Sequence, residues 1–317
     1  MNNSRRELIQ GASAIAVGAA VAGVSKAQVY GIQAGDQVRL FPGFQAAKIE
    51  TSGAIINVVS GGQGPPLLLL HGAPQSLATW YKIAPRLAKD YTVVAADLRG
   101  YGDSSKPPNG ENHVNYSKRA MALDGVQVMS HFGFEKFAVV GHDRGGRVAH
   151  RMALDHSANV TKIAVIDIVP TYKLYHNVTR EFATSYYHWF FFIQPEPFPE
   201  TLLNNSIDFY MRGSGDAHAE YVRCFKNPAT VHAMCEDYRA SASIDLEHDE
   251  ADLHRKIECP FMTLWSERGV MGRNYDVLAA WRERAVNVSG KGLPGGHSLQ
   301  EDKPEETLAE LEPFLKA

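Results

Sequence analysis

Cysteine is scarce in this chain: Cys224, Cys235 and Cys259 are the only three among 317 residues. They are too few and too scattered for a disulfide framework or a zinc site. At most one pair could bridge, and they read as buried small hydrophobes. An excess of basic charge is also missing. Lysine and arginine number 32 against 35 acidic residues, a formal charge of −3, which leaves no electrostatic footprint for a nucleic-acid partner or a membrane surface. No internal repeat or low-complexity block interrupts the chain. The apolar share of 44% and charged share of 21% exclude a disordered, collagen-like or coiled-coil protein. The length suits one large domain or two small ones, and a core that needs no covalent staples.

The one apolar stretch near the start, Gly11 to Val24, is rich in alanine and glycine and too short to span a bilayer comfortably. Arg5-Arg6 and then Leu8-Ile9 precede it, and Ser25-Lys26-Ala27 follows. A charged opening, an apolar middle and a small-x-small end make residues 1–27 read as a twin-arginine export signal cleaved near Ala27. The expectation is a periplasmic protein with no membrane attachment after cleavage. The mature chain would have about 290 residues and a charge near −5.

Beyond the signal, short apolar runs alternate with helical patterns. Ala54–Val59, Leu67–Leu70, Tyr91–Ala96, Phe137–Val140, Ile163–Ile168 and Phe261–Trp265 read as strands, mostly of the kind buried on both faces. Ala78–Ala88, Ser117–Phe132 and Arg147–Asp155 read as helices between them. The alternation predicts an α/β fold around a mainly parallel sheet. It breaks after Pro170, where aromatic-rich helical stretches run to about Leu253. The predicted organisation is a core of residues 28–170 and 256–317 with a helical cap, 171–255, inserted between its two parts.

The run Phe137–Val140 leads into Gly141-His142-Asp143-Arg144-Gly145-Gly146-Arg147 and then a helix. This is the small-x-nucleophile-x-small turn of a nucleophile elbow, with Asp143 where serine is common. An aspartate constrains the chemistry. Its attack on an acyl carbon would give a mixed anhydride. Its attack on an sp3 carbon displaces a leaving group and leaves an alkyl ester, which water can open at the carbonyl of Asp143. The exchange points to dehalogenation or epoxide opening, away from ester and peptide cleavage.

The loop His71-Gly72-Ala73-Pro74-Gln75 follows the Leu67–Leu70 strand. The backbone N–H of Ala73 and that of Arg144 are candidates for an oxyanion hole. The base should be a late histidine, and His297 in Gly295-Gly296-His297-Ser298 is the last in the chain. Two acids could orient it, Asp167 near the end of Ile163–Ile168 and Glu267 just after the strand ending at Trp265. Chain order does not choose between them. Arg144 and Arg147, three residues apart, fall on one helical face and could grip a carboxylate beside the reacting carbon.

These strings, with Asp97-Leu98-Arg99-Gly100-Tyr101-Gly102, Tyr187-His188-Trp189 and Cys235-Glu236-Asp237-Tyr238-Arg239-Ala240, resemble the haloacetate dehalogenases, a family of α/β-hydrolases, over essentially the whole mature chain. The resemblance implies an α/β-hydrolase fold with an inserted cap and hydrolysis of small 2-haloacids. It implies Asp143 as nucleophile, His297 as base and Asp167 as its acid. Arg144 and Arg147 would bind the substrate carboxylate, and His188, Trp189 and Tyr238 would donate hydrogen bonds to the departing halide. It implies no metal or other cofactor, a small anionic substrate and a homodimer. Two departures stand out. Ala73 replaces a phenylalanine common in the family, and a second cap tryptophan is missing, since Trp189 is the only one between Leu98 and Trp265. Both imply a roomier pocket. The rival reading is an epoxide hydrolase, which needs two cap tyrosines: Tyr238 with Tyr186, Tyr187, Tyr210 or Tyr221. A non-catalytic relative that only binds small molecules is a third.

Overall fold

The computed structural model describes residues 39–317. The export signal read at 1–27 lies outside the described residues. Eight strands form one sheet: β1 (Gln45–Glu50), β2 (Ile55–Gly61), β3 (Pro66–Leu70), β4 (Thr92–Ala96), β5 (Phe137–His142), β6 (Val160–Ile166), β7 (Phe261–Ser266) and β8 (Val288–Leu293). Their order is β1-β2-β4-β3-β5-β6-β7-β8. β1 with β2 and β2 with β4 pair antiparallel, and every pairing from β4 through β8 is parallel.

The leucine run of β3 shows why the sheet is buried on both faces. Successive strand side chains point to opposite sides. Leu67 and Leu69 join one apolar cluster with Leu87 and Leu308, while Leu68 and Leu70 join another with Val148 and Met152. A strand that feeds two cores must be apolar at every position. The outer strands lack that signal. β1 is largely exposed and β8 reads VSGKGL, so neither stands out as an apolar run, and both were missed in the sequence.

Three other expectations change. The helix read at Ala78–Ala88 is two short pieces, a 3-10 turn at Leu77–Trp80 and a helix at Ala84–Leu87 that begins around Pro85. A proline suits the first turn of a helix and not its interior. The helix read from Arg147 starts at Arg144 and runs to Asp155. β6 stops at Ile166, and Asp167 beyond it has φ of 54°. Residues 171–251 form eight helices and no strand, from Thr171–His176 to Ile244–Ala251. Among the described residues no helix is long and apolar enough to cross a membrane. The three cysteines are free, with Cys224 and Cys235 buried.

Candidate active site

Parallel strands put their C-terminal ends on one edge of the sheet, where α/β proteins bind ligands. His71 to Ala73 follow β3, Asp143 follows β5, Asp167 follows β6 and His297 lies beyond β8. Asp143 has φ of 44° and ψ of −113°, a strained conformation held by what surrounds it. Two glycines permit this turn. A Cβ on Gly141 would come within 2.4 Å of the Gly145 carbonyl oxygen, and one on Gly145 within 2.3 Å of that of Leu70.

The Ala73 N–H donates to Asp143 Oδ2 at 3.1 Å. Oδ1 accepts no hydrogen bond among the described residues. The Arg144 N–H is the first of its helix, where no intrahelical acceptor exists. Burial pushes the Asp143 carboxyl up, but the charges of His297, His142, Arg144 and Arg147 more than offset it. The carboxyl is held below its ordinary range and is ionised at neutral pH.

His297 Nδ1 donates to Asp167 Oδ2 at 2.6 Å, and Asp167 Oδ1 accepts from the Ser266 N–H at 2.9 Å. Asp167 is buried, whereas Glu267 is exposed and its backbone N–H is spent on the Leu293 carbonyl. The structure therefore puts Asp167, and not Glu267, against the imidazole. Although it lies deep below the surface, 38% of the His297 side chain is open to the cavity. Burial draws its pKa down, but the hydrogen bond and charge of Asp167, with the charge of Asp143, outweigh that and raise it above 6.5.

Two partners of His297 went unassigned in the sequence. His142, the residue before Asp143 in the elbow, lies with its ring 4.7 Å from that of His297 and donates from Nε2 to the His297 carbonyl at 3.0 Å. Its pKa is pushed down to about 3, chiefly by burial, so it ties down the loop as a neutral group. The Tyr186 hydroxyl lies 3.3 Å from His297 Nδ1. Position in the elbow was the only signal for His142, and Tyr186, named only as a candidate cap tyrosine, carried no signal of a contact with His297.

A cavity of about 550 Å³ opens above Asp143 and His297, and Ala73, His188, Trp189, Tyr210 and Tyr238 line it. The Trp189 and Tyr238 rings meet edge to face at 5.3 Å, and the His188 ring is 5.9 Å from that of Tyr238. The side-chain donors of His188, Trp189 and Tyr238 have no hydrogen-bond partner within the described residues. Burial pushes His188 down to about 4, so its ring is neutral. Of the other tyrosines, Tyr187 is exposed, Tyr221 donates to Glu301 at 2.8 Å, and the Tyr210 hydroxyl has no hydrogen-bond partner among the described residues. Among the described residues no cluster of side chains could hold a metal ion.

The arginines depart from expectation. Neither guanidinium is among the groups lining the cavity. Arg144 is fully buried, 4.2 Å from the Tyr238 ring centre, and Arg147 is 3% exposed, 4.5 Å from that of Trp189. Both lie against aromatic rings that do line it. Arg144 Nη1 and Arg147 Nε are buried without a hydrogen-bond partner, a costly state that an anion would relieve.

Residues 65–304 match the alpha/beta hydrolase fold family. A fluoroacetate dehalogenase from a Burkholderia species is 43% identical over 87% of this chain and 95% of its own length. The chain belongs to the haloacetate dehalogenase family of the α/β-hydrolases. A soluble epoxide hydrolase from Corynebacterium sp. (strain C12) is 33% identical over 80% of this chain and 91% of its own length. A crystal structure from Nostoc sp PCC 7120, described as a candidate α/β-hydrolase, superposes with a TM-score of 0.84 at 56% identity. That match covers 86% of this chain and 98% of the other. In this dehalogenase-family site the His297–Asp167 pair sets a pH dependence. A general base acts only when neutral. If His297 is the base of an ester-opening step, that step should slow as pH drops and the imidazole takes up a proton. The stabilisation from the pair runs the other way, being full below pH 6.5 and lost as pH rises past the folded-state value. Rapid-quench measurement of that step against pH checks this; a rate that does not fall with falling pH would contradict it.

Proposed function

We propose that the protein hydrolyses small 2-haloacids, of the haloacetate kind, to 2-hydroxyacids and halide. Asp143 Oδ1 attacks the carbon beside the substrate carboxylate, the carbon–halogen bond breaks, and the electron pair leaves with the halide. The product is an alkyl ester of Asp143. Its departing halide lies among the N–H and O–H donors of His188, Trp189 and Tyr238. These are rigid-ring donors that cost little to orient, and donors set before the reaction act where charge develops. Fluoride, a poor leaving group, needs that help most in the transition state.

Water then attacks the ester carbonyl as His297 Nε2 removes its proton. Asp167 holds the ring and stabilises the imidazolium. The Ala73 and Arg144 N–H groups receive the oxyanion. As the tetrahedral intermediate collapses, the His297 imidazolium gives its proton to the departing alkoxide, the 2-hydroxyacid leaves, and the Asp143 carboxyl loses its proton to solvent to restore the carboxylate. The helices of residues 171–255 act as a cap, which supplies the halide donors and closes the site to bulk water.

The observation that carries this reading is the pair of buried arginine N–H groups without acceptors beside a carboxylate nucleophile. A neutral epoxide gives them nothing to bind. The free hydroxyls of Tyr210 and Tyr238, with the Corynebacterium relative, favour epoxide opening as a second reading. A panel of fluoro-, chloro- and bromoacetate beside a neutral epoxide, read by halide electrode and by diol formation, separates them. We expect halide release and no diol. Diol formation without halide release would reverse the assignment.

A further inference from the structure

Arg144 and Arg147 are one helical turn apart and equally buried, yet their surroundings differ in charge. Arg144 donates from Nε to Asp237 Oδ2 at 2.9 Å and from Nη2 to Asp237 Oδ1 at 2.8 Å. Nη2 also reaches the Asp237 carbonyl and the Ser241 hydroxyl. Asp237 is held in turn by the Tyr101 hydroxyl at 2.6 Å and by Lys118. Lys118 further contacts Asp245 at 3.3 Å. Arg144, Lys118, Asp237 and Asp245 thus make a set of two cations and two carboxylates, in which the charge of Arg144 is largely offset. Its one free corner is Nη1.

Arg147 has only neutral partners. Nη1 donates to the Val169 carbonyl at 3.0 Å and to the Thr171 hydroxyl at 2.9 Å, and Nε has no acceptor. It makes no ion pair among the described residues. A buried cation without a counter-ion is expensive unless something else supplies one. In the free enzyme the ionised Asp143 is the nearest candidate. Once Asp143 is an ester that charge is gone, and the substrate carboxylate must replace it.

We propose that Asp237 is a positioning residue for the substrate carboxylate. By holding the Nε–Nη2 edge of the Arg144 guanidinium it offsets that cation and leaves Nη1 as its single free donor, so that Arg147 is the main counter-ion. The two arginines, alike in the sequence, do unequal work. This rests on the reading that an anionic substrate enters the site.

Acetate, a carboxylate that cannot react, is the probe, with binding measured by calorimetry. Arg147→Gln should weaken acetate binding about 100-fold, through loss of the counter-charge. The charge-balanced pair Arg144→Gln/Asp237→Asn should weaken it only about tenfold, through loss of one hydrogen bond, because Arg144→Gln alone would leave the Asp237 charge uncompensated. A loss in that pair equal to or above that in Arg147→Gln overturns the proposal. Asp237→Asn alone strands a buried cation and is at risk of not folding. The double variant Lys118→Met/Asp237→Asn keeps charges balanced while freeing the Arg144 fork. It should raise the chloroacetate KM about tenfold with kcat within about threefold, the split expected for lost substrate positioning. A folded double variant with wild-type acetate affinity overturns the proposal, as does a wild type that binds no acetate. A wild type that binds acetate but releases no halide counts instead against the dehalogenase reading.

Discussion

Asp143→Asn should release no measurable halide from any haloacetate, a loss of at least about 10⁴-fold, because an amide oxygen is a far weaker nucleophile than a carboxylate. The substitution is otherwise mild. Asparagine is among the few residues that tolerate positive φ, and the strained backbone at φ of 44° is the main demand of the position. Its amide oxygen can still accept from the Ala73 N–H, which now contacts Oδ2 at 3.1 Å. Removing the negative charge also removes the repulsion that an anionic substrate meets on entering. The variant should therefore bind chloroacetate more tightly than the wild type while failing to turn it over. Ion chromatography for halide and calorimetry for binding give the two halves of the result. Halide release within a hundredfold of the wild-type rate would mean that another group, or water acting directly, displaces the halogen. Carboxylate attack would then have to be abandoned.

The parts of this architecture that were legible in the sequence are those where local rules and tertiary demands coincide. β3 and β5 carry side chains into cores on both sides, so their apolar runs are unbroken. The elbow needs small residues at fixed places because Gly141 and Gly145 touch backbone, and that pattern survives in linear form. The edge strands β1 and β8 are half exposed and carry no such run. The acid partner was open because Asp167 and Glu267 both follow strands, and only the positive φ of Asp167 with the Ser266 N–H turns one of them toward His297. The state of Arg144 could not be read at all. Its spacing from Arg147 is local, but Asp237, which neutralises it, is 93 residues away on a different helix. Asp237 sits directly before Tyr238 in a string whose resemblance was clear, and nothing in that string says which way its carboxylate faces.

His297→Gln should separate the two chemical steps. Displacement of halide by Asp143 needs no proton transfer, whereas opening of the ester needs a base. The variant should release about one equivalent of halide per active site and then stop, with steady-state turnover reduced about 10³-fold or more. The trapped species is the ester, and from chloroacetate the chain should gain about 58 Da, the mass of hydroxyacetic acid less one water. The fold has reason to survive. His142 anchors the loop through the backbone carbonyl of residue 297 and not through its ring. Asp167 keeps the Ser266 N–H as a partner. What is lost is the 2.6 Å contact of Nδ1 with Asp167 and the proton acceptor on the far side of the ring. Intact-mass spectrometry after a single mixing, followed by proteolysis to place the adduct on the peptide containing Asp143, reads the outcome directly. Continued turnover would move the base to another group. Absence of both burst and adduct would mean that His297 activates water against the halogen-bearing carbon itself. The free Oδ1 of Asp143 would then have no part in bond making, and the two-step route would give way to a one-step displacement.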